Sequence, residues 1–588
     1  MRWGAALICF AAGCSPFVDG DRFRHEGDGG EVGEGDVFVA RDAGEGADLG
    51  SSDVGPDLGP SDIGPRGDAS DLGMDFGPGG DLGPLLDAGV EDDLGVEADL
   101  GVDLDSGPPD AGGSGDGGAD LGPGPDVAPH DTGPSDLGTL PTLSLSPTRL
   151  REGEGVGVAV PIFVSGISFP TNARLSVIGS NQVIIMDQAV APTGLVAAVR
   201  VPVDTSLAAS ATARVTLRVT AGGVALANDL ELVLDGLDEL RVTTSQSIAA
   251  ADLAVYSYIA VASGQTLTLT GSATELARLE ATGRIDLLGA IRVDQTGMPA
   301  GGCAGGGPNA DGGCGAVGGR AGFNLINVSV GGGGGGGNAT AGSDAPVSGV
   351  TAGTGGDTST DEWIRDLAAA RGGGGGGGGG VSGASGGASG GALEILSHGS
   401  LQLAGVLSAT GSAGGAGTCG ALGIIVGGGG GGGAGGTILV RARALVGSVG
   451  GSVDVRGGAG GAGNGCGAEG GDGGRGRSRF DAPDSTAELN LLPSRAISDG
   501  FGPSFDSSSS VLLSGANPQI EVTGPAARQL PYWVDGASGG MVQIRAGRSG
   551  TLTLSNPSVG LHEICLGVPG ASLTDPQGVT CGSFAYSP

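Results

Sequence analysis

Residues 283–293 read GRIDLLGAIRV, and residues 399–409, 116 positions later, read GSLQLAGVLSA. Glycine holds the first and seventh places of both, and apolar side chains alternate with others between them. A looser third copy, ALVGSVGGSVDV, spans 444–455, and a shorter element, GALEI at 391–395 and GTILV at 436–440, precedes two of the copies. One unit is therefore strand, turn, strand, Gly, strand, then a long glycine-rich excursion. Alternation marks strands with one buried face. Strands this short cannot bury that face alone, so the units must stack and share a continuous core. Gly289 to Gly405 is 116 residues, but Gly405 to Gly451 is only 46. The rungs correspond while the excursions differ in length.

Just before the first copy, residues 259–271 read IAVASGQTLTLTG and look like the opening rung of a right-handed parallel β-helix. Residues 241–480 are accordingly expected to form a Gly-rich β-solenoid. The excursions hold unbroken glycine runs at 331–337, 372–380 and 427–433. Glycine has the most backbone freedom to lose on ordering, so composition favours disordered loops. The packed alternative is a set of extended helices with three residues per turn, bonded side by side through their backbones. In composition the runs resemble those of some phage tail-tip adhesins and arthropod antifreeze proteins, and the resemblance implies adhesion. A helix is predicted at 359–371, where Ser359 and Glu362 form a capping box and Trp363, Ile364, Leu367 and Ala368 share one face. It would cover an open strand edge of the stack, with Trp363 as a candidate ligand contact.

The flanks are also β-patterned. Residues 139–240 carry seven alternating runs, from LSLSPTRL at 143–150 to LELVLDG at 230–236, separated by turn residues. That density predicts a two-sheet antiparallel sandwich. Leu145-Ser146-Pro147, Gly153, Gly155 and GISF at 166–169 resemble Ig-like domains of the IPT/TIG kind, which implies a spacer without a site. Residues 481–588 form a terminal β domain, and two readings stay open. GMVQIRA at 540–546 echoes GTILVRA at 436–442 and would continue the rungs; otherwise these strands make a second sandwich stapled by Cys565 and Cys581. Trp533, beside Tyr532, is a second candidate ligand contact, with a core anchor the stronger reading.

The chain begins MRWGAALICFAAGC. One Arg, a short apolar stretch and small residues before a Cys resemble the signal and lipobox of bacterial lipoproteins. The resemblance implies cleavage after Gly13, lipid on Cys14 and, with Ser15 next, attachment to the outer membrane. Ala11 replaces the usual Leu of that motif. No later stretch is apolar for long enough to span a bilayer. Residues 15–138 hold 31 acids against four Arg, so they carry −27 of the chain's formal −36. Repeated Asp-Leu-Gly, scattered Pro and like-charge repulsion predict a disordered, extended linker. Calcium is the one cofactor its Asp-rich runs admit, yet DLDSG at 103–107 lacks the distal bidentate Glu of a calcium loop. Arg66-Gly67-Asp68 is read as a chance tripeptide. The charge excludes a nucleic-acid partner. All 28 bases are Arg, which removes phosphate-loop and Schiff-base lysine chemistry. The region 241–480 resembles the Gly-rich repeat lipoproteins of myxobacteria-like genomes, which together with the lipobox implies an exported outer-membrane protein displayed at the cell surface.

Beyond Cys9 in the signal and Cys14, six cysteines remain: Cys303, Cys314, Cys419, Cys466, Cys565 and Cys581. An even set in an exported chain predicts disulfides, and proximity favours 303–314, 419–466 and 565–581. Spacings of eleven or more oppose a zinc site. Ser385 and Ser389 each fit the nucleophile-elbow pattern, but polyglycine rather than a buried strand precedes them. Asp286 and Asp294 lie near one rung, whereas the corresponding positions in the next copy are Gln402 and Thr410, so no carboxylate pair is predicted. His398 and His562 are far apart in the chain. The functional expectation is a structural or adhesive surface protein without catalytic activity, contacting a glycan, matrix or neighbouring cell. Its alternatives are a β-helix polysaccharide lyase or hydrolase and a ligand-free coat or periplasmic component. Replacing Cys14 with Ser is expected to move the chain from the membrane to the soluble fraction, checked by cell fractionation and mass spectrometry of the amino-terminal peptide. Continued membrane attachment of Cys14→Ser contradicts the lipid anchor.

Overall fold

The computed structural model describes residues 140–588 apart from 204–206, 294–298, 314–317, 323–330, 347–351, 360–364, 366–382, 420–426, 448–450, 466, 484–489, 493–499 and 507–508. The described residues form an all-β structure with no α-helix. Cys14, the linker 15–138, the calcium-like 103–107, the glycine run 372–380 and nearly all of the predicted helix 359–371, Trp363 included, lie outside them.

Two sheets built from residues 144–235 enclose one core. The first runs Ser144–Ser146, Val160–Ser165, Gly194–Arg200, Ile184–Ala191, all antiparallel. The second runs Arg149–Arg151, Leu230–Asp235, Thr212–Ala221, Ala173–Ile178, with only its first pair parallel. Alternation decides which side chains turn inward: Ile162, Val164, Leu195 and Val199 meet Leu175, Val215, Leu217 and Leu232. Gly194–Arg200 is apolar on both sides, and both are buried. Its second face touches the carboxy-terminal strands Leu512–Leu513 and Val579–Tyr586.

From Glu239 to Phe501 the strands pair in parallel and form three columns. The first contains Val255–Tyr256, Ala277–Ala281, the start of Ala392–Leu403, the start of Thr437–Gly447, Arg477–Asp481 and Gly500–Phe501. The second contains Glu239–Val242, Tyr258–Val261, Ile285–Leu287 and the ends of the same two long strands. The third contains Gln246–Ala249, Thr266–Thr270, Ala290–Arg292, Val406–Ser408, Ser452–Asp454 and Asn490–Leu492. The repeat read from the sequence is the register itself: Ile285 pairs with Leu401 and Ile291 with Leu407, both 116 residues on. Inward side chains form apolar ladders, such as Leu240, Ile259, Ile285, Leu401 and Leu445, in one common core. Burying each such Leu or Ile contributes roughly 1.5–3 kcal/mol. The repeated glycine marks a corner: a Cβ on Gly405 would lie 1.7 Å from the carbonyl oxygen of Gly289 one turn below.

All three glycine excursions leave and return at one corner. They depart after Val293, Ala409 and Val455 and come back at Ala392, Thr437 and Arg477. Parallel strands stack 4.7–4.9 Å apart, so the departing and returning arms start at hydrogen-bonding distance. The packed alternative is the one adopted by the described runs. Gly429, Gly432 and Gly435 donate to the carbonyls of Ala468, Gly471 and Gly474, while Gly430, Gly433 and Gly436 donate to those of Gly415, Ser412 and Ala409. In turn the carbonyls of Gly428, Gly431 and Ala434 accept from Ala384, Gly387 and Gly390, and those of Gly429 and Gly432 from Gly333 and Gly336. Gly458 and Gly461 donate to Gly433 and Gly430. Partners recur every third residue, the period of an extended three-residue helix. The arm 427–436 is thus bonded to five neighbouring segments, three running with it and two against it.

Glycine is required because the lattice leaves no room for a side chain. A Cβ on Gly429, Gly430, Gly432 or Gly433 would fall 2.0–2.1 Å from a neighbour's carbonyl oxygen. Ordering each residue costs about 1–2 kcal/mol of backbone entropy, and each backbone hydrogen bond contributes about 0.5–1.5 kcal/mol. Those two terms nearly cancel, so the anchored roots decide whether the arms order. Outward side chains stand where the lattice ends: Arg456, Ala459 and Ala462 on one arm and Glu469, Asp472 and Arg475 on the next are all exposed, at intervals of three, whereas small residues such as Ala434 and Ser389 join glycine inside.

The terminal strands do not continue the rungs. Residues 540–543 belong to Ala537–Gln543, which pairs antiparallel with Gln529–Val534. A two-residue Asp535-Gly536 turn joins them, with φ of 50° and 79°, the backbone such hairpins demand. Gln529–Val534 pairs in turn with Gly560–Gly567, and that with Val579–Tyr586. A second small sheet comprises Ser504–Phe505, Gln519–Thr523 and Ser549–Thr553. Ile520, Val522, Leu530, Ile544, Ile564 and Phe584 close the core between them.

Gly432→Ala, which drives a methyl into the Gly458 carbonyl, is expected to abolish amide exchange protection across 427–436 and to destabilise the head by roughly 1–3 kcal/mol. Ala459→Ser, on an outward position, is expected to stay within about 0.5 kcal/mol of the parent. Hydrogen exchange and denaturant midpoints check both.

Candidate functional site

Outward-facing residues of the columns come together on two faces. On the second column, Tyr258 donates its hydroxyl to Asp286 Oδ2 at 2.7 Å, Arg284 Nε donates to Asp286 Oδ1 at 2.5 Å, and Arg284 Nη2 donates to Gln402 Oε1 at 2.7 Å. Arg241 lies 4.8 Å over the Tyr258 ring and pairs with Glu239. Register builds this ladder, since Asp286 stands opposite Gln402 as the sequence offset predicts. Burial, together with the bond to Asp286, pushes the Tyr258 phenol up to about 12, so it stays protonated and donates. Asp294 lies outside the described residues.

From Glu394 to Asp481 the outward face of the first column is buried, which its charged residues did not foretell, though Arg278 at its start is exposed. Arg441 lies 3.7 Å from Glu394 and 3.5 Å from Asp481, and Asp481 takes two bonds from Arg479 on its own strand. Burial pulls Arg441 below the usual arginine range, against the pull of Glu394 and Asp481. Burial opposes ionisation of Glu280 too, yet its 3.0 Å contact with His398 Nε2 holds the carboxyl below the usual range. The terminal strands cover this face. Arg479 donates to the carbonyl of Gln577, Thr580 donates to Asp481 at 3.3 Å, and Arg443 Nη2 donates to the carbonyl of Cys581 at 3.2 Å. Arg443 also stands 5.4 Å over the Phe505 ring. No acid among the described residues offsets its burial, which lowers its pKa to about 10.

The remaining sequence-predicted residues are scattered. Cys565 and Cys581 form a disulfide across paired strands. Glu563 lies beside them, but sulfurs bonded to each other offer no metal thiolate. Cys303 and Cys419 are each disulfide-bonded, whereas Cys314 and Cys466 lie outside the described residues. Trp533 sits in a strand directly opposite Cys565, its ring packed over Gly567. Ser389 is buried, its hydroxyl accepting the backbone N–H of Cys303 at 2.7 Å. His562 Nδ1 lies 2.7 Å from Asp535, and its Nε2 lies 2.7 Å from the carbonyl of Ser558. Neither Ser389 nor His562 is brought to the other.

The third surface was missed in the sequence, though its signal was present. Ala459 and Ala462, then Glu469, Asp472 and Arg475, stand at every third position and all face outward. Neighbouring arms are bonded, with Gly414 donating to Ala459 and Gly417 to Ala462, so Ala413 and Ala416 extend the same surface. Three residues at about 3.1 Å rise set a repeat of roughly 9 Å along each arm. No protein-family model, curated protein or solved structure matches this chain. No helix among the described residues is long and apolar enough to cross a membrane.

Arg443→Met relieves the desolvation of a half-buried charge but gives up its bond to the Cys581 carbonyl, so it is expected to leave stability within about 1 kcal/mol of the parent. Arg479→Met takes two donors from buried Asp481, leaving it Arg441 and Thr580, and is expected to cost roughly 1–3 kcal/mol. In the parent, the folded state holds the Arg443 proton less tightly than the unfolded chain does. The penalty is therefore full below pH 10 and fades as pH rises beyond it. Urea midpoints of the variants check the two substitutions.

Proposed function

We propose that this chain is an exported, lipid-anchored surface protein whose head has a structural or adhesive role and no catalytic one. Residues 15–138 act as an acidic stalk, the first sandwich as an Ig-like spacer, and the columns as a right-handed β-helix-like solenoid. The observation that carries the reading is the glycine lattice: its arms are bonded to one another mainly through backbone, with side-chain bonds such as Asn338 Nδ2 to the Gly435 carbonyl at a few points, and their exposed side chains project at fixed intervals of three residues. A lattice of amides supplies neither nucleophile nor base. It does hold a broad surface rigid, so contact with a repeating partner costs little ordering entropy. A glycan, matrix or neighbouring cell coat is such a partner.

The lyase or hydrolase reading gains nothing from the columns. Asp286 faces Gln402 rather than a second acid, and both its oxygens already accept bonds. Purified Cys14→Ser chain is expected to bind at least one polysaccharide on a glycan array. Ala413→Arg and Ala459→Arg, on outward positions, are expected to weaken that binding by roughly tenfold while leaving the unfolding midpoint unchanged. Binding indifferent to both variants moves the contact elsewhere, and cleavage of the polysaccharide overturns the non-catalytic reading.

A further inference from the structure

We infer, resting on the proposed surface anchor for the direction of pull, that residues 148–157 form a mechanical staple. Tension arriving from the stalk crosses this segment into the columns, and the rest of the sandwich is shielded from it.

The chain enters and leaves the sandwich side by side. Arg149–Arg151, near the start, runs parallel to Leu230–Asp235, the strand that leads on to the columns. The Val233 amide donates to the Thr148 carbonyl at 3.0 Å, and the Glu152 amide donates to that of Asp235 at 2.8 Å. The Leu237 amide donates to Glu152 Oε2 at 3.3 Å, and the Arg149 guanidinium adds two bonds to the Asp235 carboxylate. In a parallel pair, the beginning of one strand and the end of the other lie at opposite ends. Pulling on both therefore slides the strands along each other and loads every bond between them together. Ser144–Ser146 comes before the staple, and its three paired residues detach first, which passes the tension on to Thr148.

The same segment is fastened to the columns. Thr282, at the corner between the first and second columns, donates its hydroxyl to the Glu152 carbonyl. A Cβ on Gly153 would lie 2.9 Å from Thr282 Oγ1 and 3.0 Å from the Ser257 carbonyl oxygen. One on Gly399, a turn higher, would lie 2.2 Å from that of Val156. Gly153, Gly155 and Gly157 take φ of 83°, 87° and 105°, which lets this turn lie flat against the corner. The glycines of the Ig-like resemblance thus stand at the junction with the columns. Ala173–Ile178, at the opposite edge of the sheet from Arg149–Arg151, lies outside the route.

Single-molecule pulling on the Cys14→Ser chain tests the staple, with one handle at the amino terminus and the other at exposed Ala459. Unravelling of the sandwich is read as a step of roughly 300 Å, and such forced unfolding is governed by its rate. The double variant Arg149→Ala, Thr282→Val is expected to speed that step roughly tenfold or more at fixed force. Leu175→Ala, in the sandwich core on Ala173–Ile178, is expected to lower the urea midpoint yet leave the rate of the step unchanged. Moving the first handle to exposed Asn181 in the parent pulls from inside the sandwich and bypasses the staple. The first step from there is expected roughly tenfold faster or more, with no substitution in the staple. Equal effects of the core and staple variants, or equal rates from the two handles, overturn the inference. A chain isolated from cells without lipid on Cys14 faults the anchor and leaves the staple standing.

Discussion

A carbonyl oxygen occupies the space where each side chain of the inner glycine arms would begin. That single exclusion governs the head. It allows the arms to approach within hydrogen-bonding distance on several sides, and it demands glycine at positions such as 429–433, while small side chains such as those of Ala434 and Ser389 fit at other buried positions. A Cβ at Gly432 would lie 2.0 Å from the Gly458 oxygen, and one at Gly431 would lie 1.9 Å from that of Gly334. The spacing is not set by the arms. It is inherited from the parallel columns, whose strands present successive roots one hydrogen-bonded step apart. The apolar ladders of the columns and the lattice of the arms are one construction: the first supplies the free energy, the second extends it where no side chain packs.

The surrounding parts protect that construction. The sandwich contacts the corner between the first two columns, where Thr282 Oγ1 donates to the carbonyl of Glu152 and Gly153 lies against Ser257. The terminal strands lie over the outward face of the first column, where Arg441, Arg479 and Asp481 would otherwise meet water. Covering charge is a costly way to build an interface. Here it fixes the position of the terminal strands through directional bonds to the backbone of Gln577 and Cys581, which an apolar contact would not do.

The column register was legible because a one-residue slip would turn Ile285, Leu401 and Leu445 outward, and the recurring glycine at 289 and 405 fixes the offset of 116. The columns begin one turn before the predicted opening rung, at Glu239, where the strand is only four residues long. The echo at 540–546 misled for a definite reason: alternation reports burial, not strand direction. Asp535-Gly536 was the better guide, since that pair marks a hairpin. Order in the glycine runs was illegible from the runs themselves, which carry no side-chain pattern. It was written beside them, in the spacing of three that separates Arg456, Ala459 and Ala462, and again Glu469, Asp472 and Arg475. The buried arginines escaped because what covers them comes from more than 90 residues away in the chain.

Scalar coupling across hydrogen bonds, recorded on chain labelled with ¹⁵N and ¹³C′ in glycine alone, reaches the lattice directly. Couplings from the amide nitrogen of Gly432 to the carbonyl carbon of Gly471, and from Gly435 to Gly474, are the predicted result, repeating at three residues. Glycine amides clustered at random-coil shifts, with no coupling across these pairs, would contradict an ordered lattice.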